Sequence, residues 1–135
     1  MLIIEDDVAV GKLLQKHLES RRHEVVVAHS GEAGLMALGL SAHTSVTLPP
    51  LPSSFTPALL VCDLALPAMS GAAVIEIVRA EAATRLLPIV VVSGRAAVQD
   101  HALALEAGAD VFLPKPVRLK DLDRVVEELL GGPRI

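Results

Sequence analysis

Residues 58–71 have the sequence ALLVCDLALPAMSG, in which an apolar run ends at a single acid, Asp63. A short apolar run bounded by turn signals favours a buried strand, here 58–62. The proline and glycine within 66–71 predict a turn, and the next residues favour a helix over about 72–85. This segment therefore predicts a buried strand, an acid at its carboxyl end and a helix that crosses back over the sheet.

The same alternation of apolar run and helical period continues along the rest of the chain. Ser30 favours a helix N-cap, and Gly108 favours a helix stop. The other predicted strands are 1–4, 25–28, 89–92 and 111–113, and the other predicted helices are 8–21, from Ser30 to about 39, 96–107 and 119–130. Strands and helices that alternate in this way are typical of a parallel sheet with crossover helices. The sequence thus predicts five successive β/α units.

A proline-rich segment at about 40–57 interrupts this alternation. It contains Pro49, Pro50, Pro52 and Pro57 among Ser and Thr residues, a composition that cannot propagate a helix or a central strand. We interpret it as a long surface loop between the second helix and the third strand. The prediction is a single domain over 1–135 with this loop as an insertion.

Composition excludes several classes of protein. The chain has 135 residues, 52% of them hydrophobic, and a formal net charge of −4. One compact domain fits that length, and the net acidity gives no electrostatic footprint for nucleic acid. Cys62 is the only cysteine, so a disulfide framework is excluded, as in a reducing cytosol. Because no apolar run reaches the length of a membrane span, a cytoplasmic protein without membrane contact is expected.

Polar side chains collect where the predicted strands end. Glu5 and Asp6 follow the first strand, Asp63 the third, Ser93 the fourth and Lys115 the fifth. In open parallel sheets ligands bind beyond the carboxyl ends of the strands. Three converging carboxylates would repel one another unless a cation neutralised them, and hard oxygen ligands suit Mg²⁺. The pattern predicts a metal site at this edge of the sheet.

A carboxylate in such a site can act as a nucleophile toward a phosphoryl donor. Asp63 would become an aspartyl phosphate, and the metal with Lys115 would stabilise the equatorial oxygens. Taken singly, each residue also has a structural explanation. Glu5 and Asp6 would serve as helix caps, Asp63 as a turn residue and Lys115 as a solvated charge. Their convergence on strand ends favours the site.

Four segments resemble response-regulator receiver domains: 2–7 (LIIEDD), 61–71 (VCDLALPAMSG), 88–94 (PIVVVSG) and 108–116 (GADVFLPKP). They cover nearly the whole chain in the order that this family has. The resemblance implies a flavodoxin-like, doubly wound α/β fold, with a five-stranded parallel sheet in the order 2-1-3-4-5 and five helices. It also implies a phospho-acceptor in a two-component or phosphorelay system.

The resemblance assigns roles by position. It makes Asp63 the phospho-acceptor, Glu5 and Asp6 the acidic pair, Ser93 the switch hydroxyl and Lys115 the phosphate-binding lysine. The metal, Mg²⁺ or Mn²⁺, would be held by the acidic pair, by Asp63 and by the backbone carbonyl two residues later.

The backbone carbonyl of this implied metal site is that of Ala65, two residues after Asp63. The resemblance further makes Phe112 the aromatic switch and the Lys115–Pro116 peptide bond cis. The expected partners are a sensor histidine kinase or phosphotransfer protein and a downstream protein that binds the face made by the fourth helix, fifth strand and fifth helix. The chain ends soon after that helix, so output is expected to pass through another protein, although a fragment of a larger protein would look the same.

Other functions have weaker support. A phosphatase of the haloacid-dehalogenase type needs a second Asp two residues after the nucleophile, where this chain has Ala65. Substrate turnover is therefore not expected. The alternative of a pseudo-receiver that binds a partner without phosphorylation stays open. Flavodoxin-like cofactor binding is weakly supported, because the chain has no Ser/Thr/Gly-rich phosphate loop after the first strand. Cys62 is interpreted as a core residue, and no phosphohistidine or zinc role is assigned to His17, His23, His29, His43 or His101.

Overall fold

The computed structural model describes residues 1–40, 57–94 and 98–131. Strands and helices alternate throughout these ranges. The strands are β1 (Leu2–Ile4), β2 (Val26–Ala28), β3 (Leu60–Asp63), β4 (Ile89–Ser93) and β5 (Val111–Pro114), and the helices are α1 (Val8–Ser20), α2 (Gly31–Ala37), α3 (Gly71–Ala80), α4 (Val98–Ala107) and α5 (Leu119–Leu129).

The five strands form one parallel sheet in the order β2-β1-β3-β4-β5. The predicted fold class is therefore confirmed. Asp63 lies opposite Val92 in the β3–β4 register, and Ser93 lies opposite Pro114 in the β4–β5 register. The carboxyl ends of the strands consequently form one edge, and the point where the strand order reverses, between β1 and β3, lies along it.

Strand residues alternate between two apolar layers, as the pleat of a buried parallel strand requires. In β3, Leu60 and Cys62 face the layer of α2, α3 and α4, whereas Val61 faces the layer of α1 and α5. Aromatic side chains contribute little. Val, Leu and Ile fill both layers, and alanines add to the layer of α2, α3 and α4.

Side-chain caps begin three of the helices. Asp7 accepts hydrogen bonds from the amides of Ala9 (2.9 Å) and Val10 (3.2 Å) and so begins α1. The predicted N-cap Ser30 is confirmed by its bond from the Ala33 amide at 3.1 Å, and Ser70 caps α3 in the same way. Of the three acids after β1, the cap is thus Asp7, which leaves the other two for a different role.

The third helix is shorter than predicted. It ends at Ala80 rather than at about residue 85, because Glu81 adopts an extended conformation. The guanidinium of Arg79 donates to the carbonyls of Leu87 (2.6 Å) and Gly108 (2.9 Å), and it pairs with Asp110 at 3.1 Å. Contacts distant in sequence therefore stabilise a turn where local propensity favours helix.

Two predictions fall partly outside the described residues. Residues 41–56, most of the proline-rich segment, lie outside them, and so do residues 95–97, where the fourth helix was expected to begin. The described part of α4 begins at Val98. Among the described residues, no helix has the length and apolar character needed to cross a membrane.

Gly71 brings α3 against the end of β3. Its amide donates to the Leu64 carbonyl at 2.9 Å, and a Cβ atom there would lie 2.7 Å from the Leu64 Cα and would overlap the carbonyl oxygen of Asp63. Backbone atoms cannot move aside as a flexible side chain can. The absence of a side chain at this position therefore sets how closely the helix approaches the acid.

We predict that Gly71→Ala lowers the free energy of unfolding by about 2–3 kcal/mol, the usual cost of overpacking a tight site. Gly39→Ala is the control, because a Cβ there meets no atom of the described residues within 4 Å, and its positive φ of 75° opposes the substitution. That control is expected to cost about 1 kcal/mol. Urea unfolding of both variants tests this, and equal losses would contradict the close approach.

Candidate phospho-acceptor site

Three carboxylates meet at the carboxyl edge of the sheet. Asp63 is the last residue of β3, and Glu5 and Asp6 directly follow β1. Each offers an oxygen within 4.8 Å of the others. Glu5 and Asp63 are buried and Asp6 is exposed, so the cluster opens to solvent on one side.

Lys115 reaches this cluster from the segment after β5. Its ammonium forms ion pairs with Glu5 Oε1 and with Asp63 Oδ2, the latter at 2.9 Å. The two carboxylate side chains are only 3% and 6% exposed, whereas Lys115 is 21% exposed. The Lys115 amide also donates to the Ser93 carbonyl at 2.8 Å, which fixes the base of the lysine on the sheet.

Burial and neighbouring charges raise two pKa values in this cluster, by different causes. Burial raises the pKa of Glu5 to about 7, and the nearby Asp63 adds to the rise, although the hydrogen bond from Lys115 acts against it. For Lys115, burial lowers the pKa, but its contacts with Glu5 and Asp63 outweigh burial and leave the pKa above its ordinary value. Among the described residues, one cation therefore faces three carboxylates, and negative charge is in excess there.

The Asp63 carboxylate is held through both oxygens. Its Oδ1 accepts from the Ala65 amide at 3.0 Å, and its Oδ2 accepts from Lys115. Ala65 itself is exposed. Cys62, the preceding residue, is fully buried, and burial raises its pKa, so its thiol stays protonated and apolar in character.

The remaining predicted residues flank the cluster. Ser93 ends β4 and is buried. Phe112, in the middle of β5, is half-buried and stacks on the ring of His101 from α4, with centroids 4.8 Å apart and an interplanar angle of 11°. The Lys115–Pro116 peptide bond is cis. The structure thus brings Glu5, Asp6, Asp63 and Lys115 together and places Ser93 and Phe112 on the neighbouring strands.

Two features of this edge were not predicted from the sequence. The ring nitrogen Nδ1 of His29 lies 3.1 Å from the Glu5 carbonyl oxygen. An apolar groove of about 400 Å³ lies beside Lys115, between α1 and the segment after β5, and Leu13 on its wall is 57% exposed. The position of His29 directly after β2 is the sequence feature that could have indicated its contact with the carboxyl edge.

Comparison with known proteins agrees with this architecture. Residues 1–127 match the model of the response regulator receiver domain family. The chain is 33% identical over its 135 residues to the transcriptional activator protein PfeR of Pseudomonas aeruginosa, of which it covers 39%. The chain covers between 39% and 58% of the curated relatives reported for it.

Solved structures show the same fold. A putative response regulator from Chloroflexus aurantiacus superposes with a TM-score of 0.81 at 28% identity, covering 96% of this chain and 95% of that one. The receiver domain of the sensor histidine kinase PA1611 from Pseudomonas aeruginosa, which has a magnesium ion coordinated in its active-site cleft, superposes with a TM-score of 0.75 at 21% identity, covering 97% and 96%. This chain belongs to the response regulator receiver domain family, a class of signalling domains in two-component systems.

The raised pKa of Glu5 predicts a pH-dependent stability. Between its ordinary pKa of 4.5 and about 7, the folded protein keeps a proton on Glu5 that the unfolded chain has lost. The folded state then binds more protons, so the free energy of unfolding falls as pH rises through this window. Glu5→Gln, which cannot ionise, should remove that part of the slope. Metal-free unfolding at pH 4.5, 6 and 7.5 measures it, and identical slopes in both proteins would contradict a raised pKa.

Proposed function

We propose that this receiver domain takes a phosphoryl group on Asp63 and that the modification changes a protein-binding surface. The observation that carries the proposal is the contact of one ammonium, that of Lys115, with Asp63 and with Glu5 beside it. A lysine in that position neutralises an anionic donor next to the nucleophile. The roles follow the family resemblance residue by residue.

The reaction is a phosphoryl transfer between two proteins, or from a small phosphorylated donor. A carboxylate oxygen of Asp63 forms a bond to phosphorus while the bond from phosphorus to the donor breaks, and the donor keeps that electron pair. The product is an acyl phosphate on Asp63. The Lys115 ammonium, which already contacts Asp63 Oδ2, would then pair with the phosphoryl oxygens.

A divalent cation fits the donor set. Glu5, Asp6 and Asp63 supply three carboxylates that lie within 4.8 Å of one another, and all are the hard oxygen ligands that Mg²⁺ or Mn²⁺ prefers. These three residues, with the Ala65 carbonyl, would hold the ion. When bound, it supplies positive charge that stabilises the transferred phosphoryl oxygens. The neutral fraction of Glu5 at pH 7 means that ion binding displaces a proton.

A phosphatase or a pseudo-receiver is less well supported. Ala65 occupies the position where a haloacid-dehalogenase enzyme carries its second acid, so a general acid for turnover is lacking at that position. The intact set of acidic pair, acceptor and lysine argues against a domain that binds without phosphorylation. Receiver domains are signalling domains rather than metabolic enzymes, and we propose the same for this chain.

The proposed change of surface involves Ser93 and Phe112. An added phosphoryl group brings about −1.5 to −2 charges, and the Ser93 hydroxyl on the next strand would bond to it. The output face, made of α4, β5 and α5, includes Phe112 and its partner ring His101. We propose that the added charge moves the segments that adjoin the site, and Phe112 with them, and that a downstream protein binds the altered face.

The phospho-donor is proposed to be a sensor histidine kinase or phosphotransfer protein. The apolar groove beside Lys115, with the exposed Leu13 on its wall, offers it a docking surface next to Asp63. Because PfeR is a transcriptional activator more than twice as long as this chain, the absence of a direct nucleic-acid partner stays a prediction.

We predict that acetyl phosphate and Mg²⁺ together add one phosphoryl group to the wild-type protein and none to Asp63→Asn. The reason is that the substituted amide cannot act as the nucleophile. Intact-protein mass measurement with and without EDTA provides the test. Glu106→Gln, an exposed acid in the last turn of α4 at the opposite edge of the sheet, is the control and should label as the wild type does. Labelling of Asp63→Asn, or full labelling in EDTA, would contradict the proposal.

A further inference from the structure

His29 contacts the backbone of the acidic pair from the neighbouring strand. It directly follows β2, and its Nδ1 lies 3.1 Å from the carbonyl oxygen of Glu5. A carbonyl oxygen only accepts hydrogen bonds, so Nδ1 carries the hydrogen and donates it. We propose that His29 is a positioning residue for the metal site, fixing the Glu5–Asp6 peptide so that both carboxylates face Asp63. This inference rests on the proposed function, because the metal site is part of it.

The contact extends the pairing of β1 with β2. The Val26 amide donates to the Met1 carbonyl at 2.9 Å, and the Glu5 amide donates to the Ala28 carbonyl at 3.0 Å. The next contact along this edge is the His29 ring on the Glu5 carbonyl. The His29 side chain thus supplies the hydrogen-bond donor at the point where the chain leaves β2 and begins α2 at its Ser30 cap.

This contact acts on Asp6 as well as on Glu5. The peptide unit is planar, so a fixed carbonyl oxygen on Glu5 also fixes the orientation of the Asp6 amide and the position of its Cα. Asp6 is exposed, so packing does little to restrain it. Glu5 is already restrained by Lys115 and by the Asp7 amide, 3.3 Å from Glu5 Oε2. We therefore expect the orienting effect of His29 to be largest on Asp6.

Gly11 of α1 supports the same arrangement. A Cβ atom at this position would lie 4.0 Å both from Glu5 Cγ and from His29 Cε1. Both side chains therefore lie near the same point of α1. The absence of a side chain at Gly11 leaves room there for the exposed His29 ring beside Glu5.

The test is Mg²⁺ affinity, measured from amide NMR shifts in the wild-type protein and in His29→Ala and His29→Asn. The Asn amide nitrogen can donate from nearly the position of Nδ1. We expect His29→Ala to weaken Mg²⁺ binding about tenfold, the lower end of what partners of metal ligands contribute, and His29→Asn to bind within about twofold of the wild type. His23→Ala, in the turn before β2 at the opposite edge of the sheet, should bind Mg²⁺ as the wild type does.

Wild-type affinity in His29→Ala, or an equal loss in His29→Asn, would overturn the positioning role. If His29→Ala does not fold, the Asn variant alone decides, because it keeps the donor. Thermal unfolding without Mg²⁺ separates a general loss of stability from a loss of affinity. Asp6→Ala tests the metal site itself. Unchanged Mg²⁺ binding in that variant contradicts the proposed site, whereas loss there with no effect of His29→Ala contradicts only the inference about His29.

Discussion

The ammonium group of Lys115 lies between the buried carboxylates of Glu5 and Asp63, and the arrangement of the carboxyl edge depends on that contact. Two acids this deeply buried would not stay ionised together without a cation beside them. Even so, the described residues of the site carry an excess of negative charge, because Asp6 adds a third carboxylate. Burial raises the pKa of Glu5 to about 7, and the adjacent Asp63 contributes to that rise. The negative charge of the cluster suits a divalent ion, and a transferred phosphoryl group would add further negative charge that such an ion would neutralise.

Backbone geometry holds these charged groups in place. The parallel register aligns the ends of β1, β3 and β4. Gly71 lets the first turn of α3 approach the Asp63 carbonyl, and the Lys115 amide is bonded to the Ser93 carbonyl. Each polar side chain therefore begins from a fixed point at one edge of the sheet. A site built this way has little freedom to rearrange when charge is added, so the response is expected in the adjoining segments.

Much of the fold and of the site was predictable from the sequence, because parallel strands place the residues that follow them at one edge. The positions of Asp63 at the end of β3 and of Glu5 after β1 needed only that rule. Which of the three acids after β1 caps α1 could be seen only in the structure, where Asp7 is the cap. The predicted end of α3 was wrong because the contacts of Arg79 with Gly108 and Asp110 join residues distant in sequence. The contact of His29 with Glu5 depends on strand register, which a single sequence does not reveal.

The most direct test of the central claim is a crystal structure of the protein with Mg²⁺ and beryllium trifluoride, a stable mimic of an aspartyl phosphate. We predict that the beryllium group lies on an oxygen of Asp63, with the Lys115 ammonium within about 3 Å of a fluoride. We also predict that Glu5, Asp6 and Asp63 hold the Mg²⁺ ion. A structure with the mimic on another residue would contradict this. So would a structure obtained at saturating mimic in which Asp63 carries none and Lys115 still lies between Glu5 and Asp63.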